Sequence, residues 1–553
     1  MAVNAKKLVK QWTFPIPSSF LSTEREGEIK VFTSNAEGEE RMAQGYALTN
    51  PISLIVDKPP GEFNRKDLIR VIENKQIERI TFHYTALDGR YKELKIPISN
   101  QLQAEIILAE GERVDGSSLF KGMVGTDLSD LYVVPVYKTA FLNPFEVGSL
   151  DFTCRYLTED GRLAPFALDN ILLNAYNLFL KNTKIELFAL GELEFFLLNE
   201  PTNNIFPNPT QKGYHGSAPF IKSGNILNEM VRYLTQITGA VKYAHSEVGY
   251  IESVRSDLEE IKGKRAEQLE IELLPTPITD AGDHLVLAKW LIRNIAYKYG
   301  CVATFTPKLE EGIAGNGLHI HLELRKDGKN IMRDEKDVLS IWAKKVIGGL
   351  CTYAASLTAF GNTVSSSYLR LVPDQEAPTR ICWSDLNRRA MIRVPLGWSK
   401  VNRLGQMLNP EETERLPEAD SRQTVELRTP DGSAIVHLLL SGITLAAEWG
   451  CSQEESVKKA DALYVTGNIF KDRKLLKRLP ALPKSCAESA KLLQAKRNYY
   501  ERENIFPQSI VDYVVKLLSA ESDEHMSESL VDLAPAERLN EICKIMHKDL
   551  HRH

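Results

Sequence analysis

Two hydrophobic periods divide most of this chain between them. Near residue 312 a small-residue loop, GIAGNG, gives way to strict alternation in His319, Ile320, His321, Leu322, Glu323 and Leu324. Period two predicts a strand with one buried face, so both imidazoles point to the same side. The Lys-Asp-Gly-Lys-Asn that follows predicts a hairpin turn. Further strands are predicted at IELFALGELEFFLL, QLEIELL, CVATFTP and TVELRTP, and helices at NILLNAYNLFLKN and HLVLAKWLIRNIAYKYG. Antiparallel strands with separate helices predict an α+β domain over residues 146–450. Ahead of it, residues 62–145 predict a smaller α/β unit. DLIRVIENKQI has helical spacing, ERITFHYTAL and YKELKIPI are strands joined at Asp88-Gly89, and LYVVPV supplies another. Residues 1–61, with Pro15, Pro17 and Pro59-Pro60, read as an irregular extension, and residues 451–553 as charged helical sequence with a tail.

Composition narrows the class. A chain of 553 residues, 43% hydrophobic and 25% charged, has enough apolar sequence for a substantial core and more than one domain. The formal net charge of -5 and the lack of a basic block interleaved with aromatics argue against nucleic acid. Seven scattered cysteines without a CxxC pair read as reduced thiols. Neither a secretory h-region nor an apolar run of membrane-spanning length is present, so a cytoplasmic location without membrane contact is expected.

The chemistry follows from carboxylates on predicted strand faces. In GELEFFLL, Glu192 and Glu194 are two apart and share a face, while Leu193, Phe195 and Leu197 share the other. Glu247 follows His245-Ser246, Glu270 and Glu272 alternate in QLEIELL, and Glu426 shares a face with Arg428. Should these strands form one sheet, several carboxylates and His319 converge. Two carboxylates about 5 Å apart repel by roughly 3 kcal/mol at an effective dielectric of 20. Divalent cations would remove that cost, and oxygen ligands with one imidazole suit Mg²⁺ or Mn²⁺. The segment SYLRLVPDQEAPTRICWSDLNRRAMIRVPLGW adds Arg370, Arg380, Arg388, Arg389 and Arg393, with Glu376 in a loop between Pro373 and Pro378. Arginines beside a carboxylate cluster predict phosphate or substrate carboxylate. Neither a GxxxxGK[ST] nor a GxGxxG loop is present to hold phosphates instead.

These landmarks, in the order VDGSS, GELEFFLL, HSEVG, EQLEIELLP, ATFTPK, GNGLHIH, KDGKN, RLVPDQEAP, LNRRAMIRVP and VELRTPDGSA, make the chain resemble the glutamine synthetase family over roughly residues 62–515. The resemblance implies a β-grasp-like amino-terminal domain joined to a large antiparallel-sheet catalytic domain. It implies a homo-oligomer of stacked rings, decameric or dodecameric, with active sites between adjacent subunits. It also implies ATP-dependent ligation of ammonia to the γ-carboxylate of glutamate through a γ-glutamyl phosphate, with two or more Mg²⁺ or Mn²⁺ per site. Residue by residue, Glu194, Glu247 and Glu270 match ligands of one metal, and Glu192, His319 and Glu426 those of the other. His321, Arg388 and Arg393 match ATP-phosphate positions, and Gly315, Arg370 and Arg428 match positions that hold glutamate. Asp115, Ser118, Tyr214 and Glu376 match the ammonium pocket and the loop that closes it, with Asp115 expected from a neighbouring subunit.

The departures are specific. Ala314 stands where the family usually has Asn, Thr424 where it has Arg, with Arg422 displaced by two, and Glu323 where Ser is common. About fifteen extra residues separate Glu247 from Glu270. Their run SDLEEIKGKR is charged and predicts a projecting surface excursion. A remodelled pocket opens two other readings, a γ-glutamyl ligase for an organic amine and a catalytically weak nitrogen sensor.

Overall fold

The computed structural model describes residues 46–552, apart from 128, 202–204, 373–376, 398–403, 415–420 and 468–470. Two sheets organise them. The smaller contains β1 (Arg79–Thr85), β2 (Tyr91–Pro97), β3 (Glu112–Asp115), β4 (Asp130–Pro135), β5 (Phe141–Leu142) and β6 (Ser149–Leu157). Its order is β2-β1-β6-β4-β3 with β5 on β6, and only the β1–β6 pair is parallel. The helices Arg65–Lys75 and Gln101–Glu110 belong to this unit, and each begins at an asparagine whose side chain takes a free backbone N–H. At Asn64 the reciprocal bond from Asp67 completes a capping box. A β-grasp-like unit was expected here, and a helix-bearing mixed sheet is found.

The larger sheet has ten strands: β7 (Glu186–Asn199), β8 (Val241–Ile251), β9 (Arg265–Leu273), β10 (Thr276–Pro277), β11 (Val302–Thr304), β12 (Leu318–Lys326), β13 (Lys329–Asn330), β14 (Trp383–Asp385), β15 (Ile392–Val394) and β16 (Val425–Leu427). Its main path runs β14-β15-β16-β12-β7-β9-β8, antiparallel except for β14–β15. Alternation gives each central strand an apolar face of residues such as Leu193, Phe195, Ile271, Ile320 and Leu427, all buried. Helix Ile278–Lys298 packs on β7, and the apolar helices Leu168–Thr183 and Ile341–Gly361 flank Val436–Ser452. The last is buried almost all round, as an apolar helix without a polar stripe must be. Backbones close tightly there. A Cβ on Gly349 would lie 2.0 Å from the Ala446 carbonyl oxygen, so only glycine fits.

Two expectations change. Residues 46–61 are not wholly irregular, because helix Pro51–Val56, capped by Asn50, buries Ile52 and Val56 in the main core. The extra residues after Glu247 do not project. Val254 and Ile261 enter a second, smaller core with Phe196, Leu198, Ile251, Leu309, Ile313 and Leu550. Two apolar residues spaced along a charged run were enough to fold it inward. The far end of the chain completes this core: Ser256 Oγ is 3.0 Å from His547 Nδ1, and His547 Nε2 is 2.9 Å from the Leu309 carbonyl. Thr304 and Thr306 donate to the carbonyls of Leu550 and Met546. All seven cysteines are free thiols, and no described helix is long and apolar enough to cross a membrane.

Candidate active site

Strand register brings the predicted carboxylates together. His319 pairs across to Glu192 and Glu192 to Glu272, while Glu194 pairs with Glu270. His321 pairs with Glu426, and Glu426 with Arg393. Directly opposed residues in antiparallel strands share a face, so one side of the sheet carries this whole set. Glu247 reaches it by a different device. Between Ser246 and Tyr250, β8 bulges against β9, and a bulge re-aims the side chains it carries. Gly249 lets the bulge approach β9 closely, its N–H donating to Gln268 Oε1 at 3.0 Å.

The cluster has two electrostatic halves. On one, Glu426 is fully buried and takes bonds from Arg428 and, at 2.8 Å, from Arg393 Nη1. Glu192 receives both imidazoles, His319 Nδ1 at 2.8 Å and His321 Nε2 at 2.9 Å. Burial works against both charges, but Arg428 and His321 prevail at Glu426, and His321 with His319 at Glu192, holding both carboxyls below the usual range. The other half is short of cations. Burial, together with Glu192, Glu194 and Glu247, pushes the Glu270 carboxyl up to about 8, although His245 lies 3.0 Å away. A carboxyl forced to keep its proton by burial among other carboxylates is the mark of a site built for more positive charge than the protein provides.

Donor geometry fits metal ions. Ligand atoms of Glu192, His319 and Glu426 lie within 4.8 Å of one another, as do those of Glu194, Glu270 and His319, of His245, Glu247 and Glu270, and of Glu192, Glu272 and His321. Carboxylates with one or two imidazoles suit Mg²⁺ or Mn²⁺. The first triad is the set expected for one metal. Glu194, Glu247 and Glu270, expected for the other, fall in two overlapping groups that share Glu270.

Beside the cluster lies a cavity of about 270 Å³, lined by Glu194, Glu247 and His319 and by Arg370, Arg428 and Lys308. Gly315 and Ala314 also line it. A Cβ at Gly315 would stand 2.3 Å from the Pro307 carbonyl oxygen, so this position requires glycine. Arg370 is anchored to the carbonyls of Thr429 and Arg428. Arg388 lies over the Tyr214 ring at 5.8 Å, and its carbonyl accepts from Arg428 Nε. Tyr214 is half-exposed and stacked on His215. Two expected residues are elsewhere in this chain. Asp115 ends the small sheet's edge strand and Ser118 lies in the short helix Gly116–Leu119 that follows, where Asp115 accepts from both Ser117 and Ser118 hydroxyls at 2.6 Å. Those bonds hold its carboxyl below the usual range. Glu376 lies outside the described residues.

Several side chains at the site escaped the sequence reading. His245 and Glu247 alternate in β8 as Gln268 and Glu270 do in β9, so the period that found the glutamates also carried these two neighbours. Gln268 links β9 to the glycine loop through the Gly315 carbonyl at 3.1 Å. Gln211, which accepts from the Ala314 N–H, and Lys308, which donates to the Ile313 carbonyl, come from irregular segments that no period marks. Thr424 has a local role, its hydroxyl standing 2.8 Å from His321 Nδ1, whereas Arg422 is exposed. Glu323 accepts from Arg325 Nε.

Comparison with known proteins agrees with this architecture. Residues 76–159 match the description "Glutamine synthetase, beta-Grasp domain" and residues 170–531 match "Glutamine synthetase, catalytic domain". Among similar sequences, the glutamine synthetase of Pasteurella multocida is 26% identical over 486 residues, covering 82% of this chain and 94% of that protein. That of Thermus thermophilus is 31% identical over 345 residues, covering 60% and 72%. Among solved structures, Plasmodium falciparum glutamine synthetase superposes with a TM-score of 0.66 at 21% identity, over 84% of this chain and 97% of that one. GmaS in complex with ADP gives 0.65 at 20% identity, over 85% and 98%. At those identities the structures speak to the fold alone.

Proposed function

Because the chain belongs to the glutamine synthetase family of ATP-dependent ligases, we propose that it joins ammonia to the γ-carboxylate of glutamate, releasing ADP and phosphate. The observation that carries this reading is the cavity itself, whose lining combines carboxylates and an imidazole with Arg370 and Arg428. An amino acid with two carboxylates suits the arginine side. The triad Glu192–His319–Glu426 would hold one divalent cation, and Glu194, Glu247 and Glu270, spread over two groups that share Glu270, would hold a second; when bound, these ions supply charge neutralisation to phosphoryl oxygens.

In this reading the glutamate γ-carboxylate displaces ADP from the γ-phosphorus of ATP. An acyl phosphate results. Arg388 and Arg393, with His321, offset the charge that builds on the phosphoryl oxygens, and positioning supplies most of the acceleration. Ammonia then adds to the acyl carbon, the C–O bond to phosphate breaks, and the proton lost by ammonium passes to Asp115 or Glu376. Asp115 comes from a neighbouring subunit of a ringed homo-oligomer, and closure of the Glu376 loop excludes water from the acyl phosphate. Full-length protein incubated with ATP, glutamate, Mg²⁺ and a panel of ammonium and small primary amines tests the reaction. Release of phosphate matched by glutamine with ammonium supports the proposal. Phosphate release with no amide product would end it.

One observation favours a second reading. Ala314 puts a methyl group in the cavity lining where a polar side chain is usual, which gives room for the alkyl part of an organic amine. The chain also shares its fold with GmaS. An alkylamine used with a higher kcat/KM than ammonium would make the amine ligase the better description.

A further inference from the structure

Away from the carboxylate cluster, a second cavity of about 260 Å³ lies between the turn at Asp88-Gly89, helix Ile278–Lys298 and the last described residues. Its lining carries the cations Arg90, Lys289 and Arg293, together with His551, whose Nε2 stands 2.9 Å from the Glu260 carboxylate. Lys289 is 6% exposed and donates only to the Gly432 carbonyl, at 2.8 Å. Arg293 has its Nε and Nη2 buried without a hydrogen-bond partner, and its guanidinium rests 5.0 Å above the Phe305 ring that Lys289 also faces. Arg90 donates to the His551 and Arg552 carbonyls, and its nearest carboxylate, Asp88, is half-exposed at 3.7 Å. Burial and its neighbour Arg293, only partly offset by Asp431, push the Lys289 ammonium down to about 7, while burial and Arg90 push Arg293 to about 10.

Uncompensated buried cations are costly, and a ring face offsets only part of that cost. Guanidinium nitrogens find their strongest partners in carboxylate and phosphate oxygens. Of the remaining walls, Tyr91, Trp290, Val286 and Ala434 are aromatic or aliphatic, and Asn294 is polar. Apolar walls with a few convergent polar groups are the usual make-up of a small-molecule site. We propose that this cavity binds a small organic anion whose carboxylate or phosphate group meets Arg293, Lys289 and Arg90, with its carbon body against Trp290 and Tyr91. The site lies next to the ligase machinery in the chain's own wiring. Lys289 holds the Gly432 carbonyl in the turn that follows β16, the same turn whose Thr429 carbonyl anchors Arg370 and whose Pro430 carbonyl takes the Leu318 N–H. That turn directly follows Arg428 and the strand that carries Glu426.

Binding is tested without turnover, so its outcome is separate from that of the ligase assay. Calorimetry and thermal unfolding of the full-length protein use inorganic phosphate in one arm and succinate in the other, which distinguishes the two anion chemistries. At least one should bind and raise the melting temperature of the unaltered protein and of Arg393→Gln, whose change lies at the other site. Arg293→Met should weaken that binding by about tenfold or more, with Arg293→Lys retaining part of it. Without anion, Arg293→Met should melt no lower than the unaltered protein, because it removes an unpaired buried charge. Arg293→Met protein that binds both anions as the unaltered protein does would overturn the proposal, and so would failure of both to bind below about 10 mM. Should Arg293→Met not fold, crystals of the unaltered protein soaked in tungstate decide the matter. Anomalous density beside Arg293 supports the site, and its absence from the cavity removes it.

Discussion

Glu270 illustrates how much a single residue's surroundings disclose. Its carboxyl is raised to about 8 by burial and by three neighbouring glutamates, so the protein alone leaves this half of the cluster short of positive charge. Removing a donor should disable the site and spare the fold. Glu194→Ala and His319→Ala are each expected to lower ligation about a hundredfold or more, since even residues that only orient metal ligands cost tenfold to a hundredfold. Near-normal turnover of either variant at saturating Mg²⁺, with circular dichroism unchanged, would contradict the two-metal assignment. Thr424 makes a finer test. Thr424→Val keeps the shape but strips the partner from His321 Nδ1, leaving a buried ring nitrogen unsatisfied. A fall of about tenfold in kcat is expected, with Thr424→Ser recovering most of it. Equal kcat for all three proteins would mean that the hydroxyl does not position the ring.

Strand alternation is the element that the sequence disclosed best. Glu192 and Glu194, Glu270 and Glu272, His319 and His321 all obey period two, and antiparallel pairing then aligns them across β12, β7 and β9. Period says which face a residue takes. It does not say how far an irregular segment folds back, which is why Lys308, Gln211 and the inward course of residues 252–264 were not legible. Those residues carry charge at most positions, and the pattern gave no weight to Val254 and Ile261. Burial of Ile261 makes the correction testable. Ile261→Ala should cost about 2 kcal/mol or more of local stability, as large-to-small changes at filled sites do. Amide exchange across residues 302–314 reads this directly. Unchanged protection there would show that the excursion supports nothing behind the glycine loop. Replacing residues 252–264 with a short turn is accordingly expected to loosen that loop, read as faster amide exchange across residues 302–314.

At the scale of the whole molecule, two arrangements reach beyond one sheet. Asp115 stands on the small sheet's exposed edge, away from the cavity of its own chain. If it serves a neighbour, mixed oligomers of Asp115→Ala and Glu376→Ala subunits should regain some of the activity that each lacks alone. No recovery from mixtures that demonstrably co-assemble would exclude shared sites. The second arrangement is the clasp formed by the chain's last helices. Glu521 accepts from Lys548 and Arg552 at 2.6 Å and from Ser365 at 2.7 Å. Burial opposes its charge, but Lys548 and Ser365 outweigh it and pull the carboxyl from 4.5 down to about 2. A depressed carboxyl stabilises the folded form fully above its unfolded pKa, so this support is complete above pH 4.5 and lost as pH falls towards 2. Exchange protection of helix Pro535–His547 should decline over that interval in the unaltered protein and be flat in Glu521→Gln. A decline of the same size in Glu521→Gln would assign it to other groups. The clasp also sets an order of events in time. Thr306 and Thr304 wait for carbonyls 240 and 246 positions later in the chain. At ribosomal speeds of about 5 to 20 residues per second, that delay is on the order of 10 to 50 seconds. Through it, Phe196, Leu198 and Leu309 lack the Leu550 that covers them, so a nascent chain presents this apolar face to chaperones before the wall behind its glycine loop is complete.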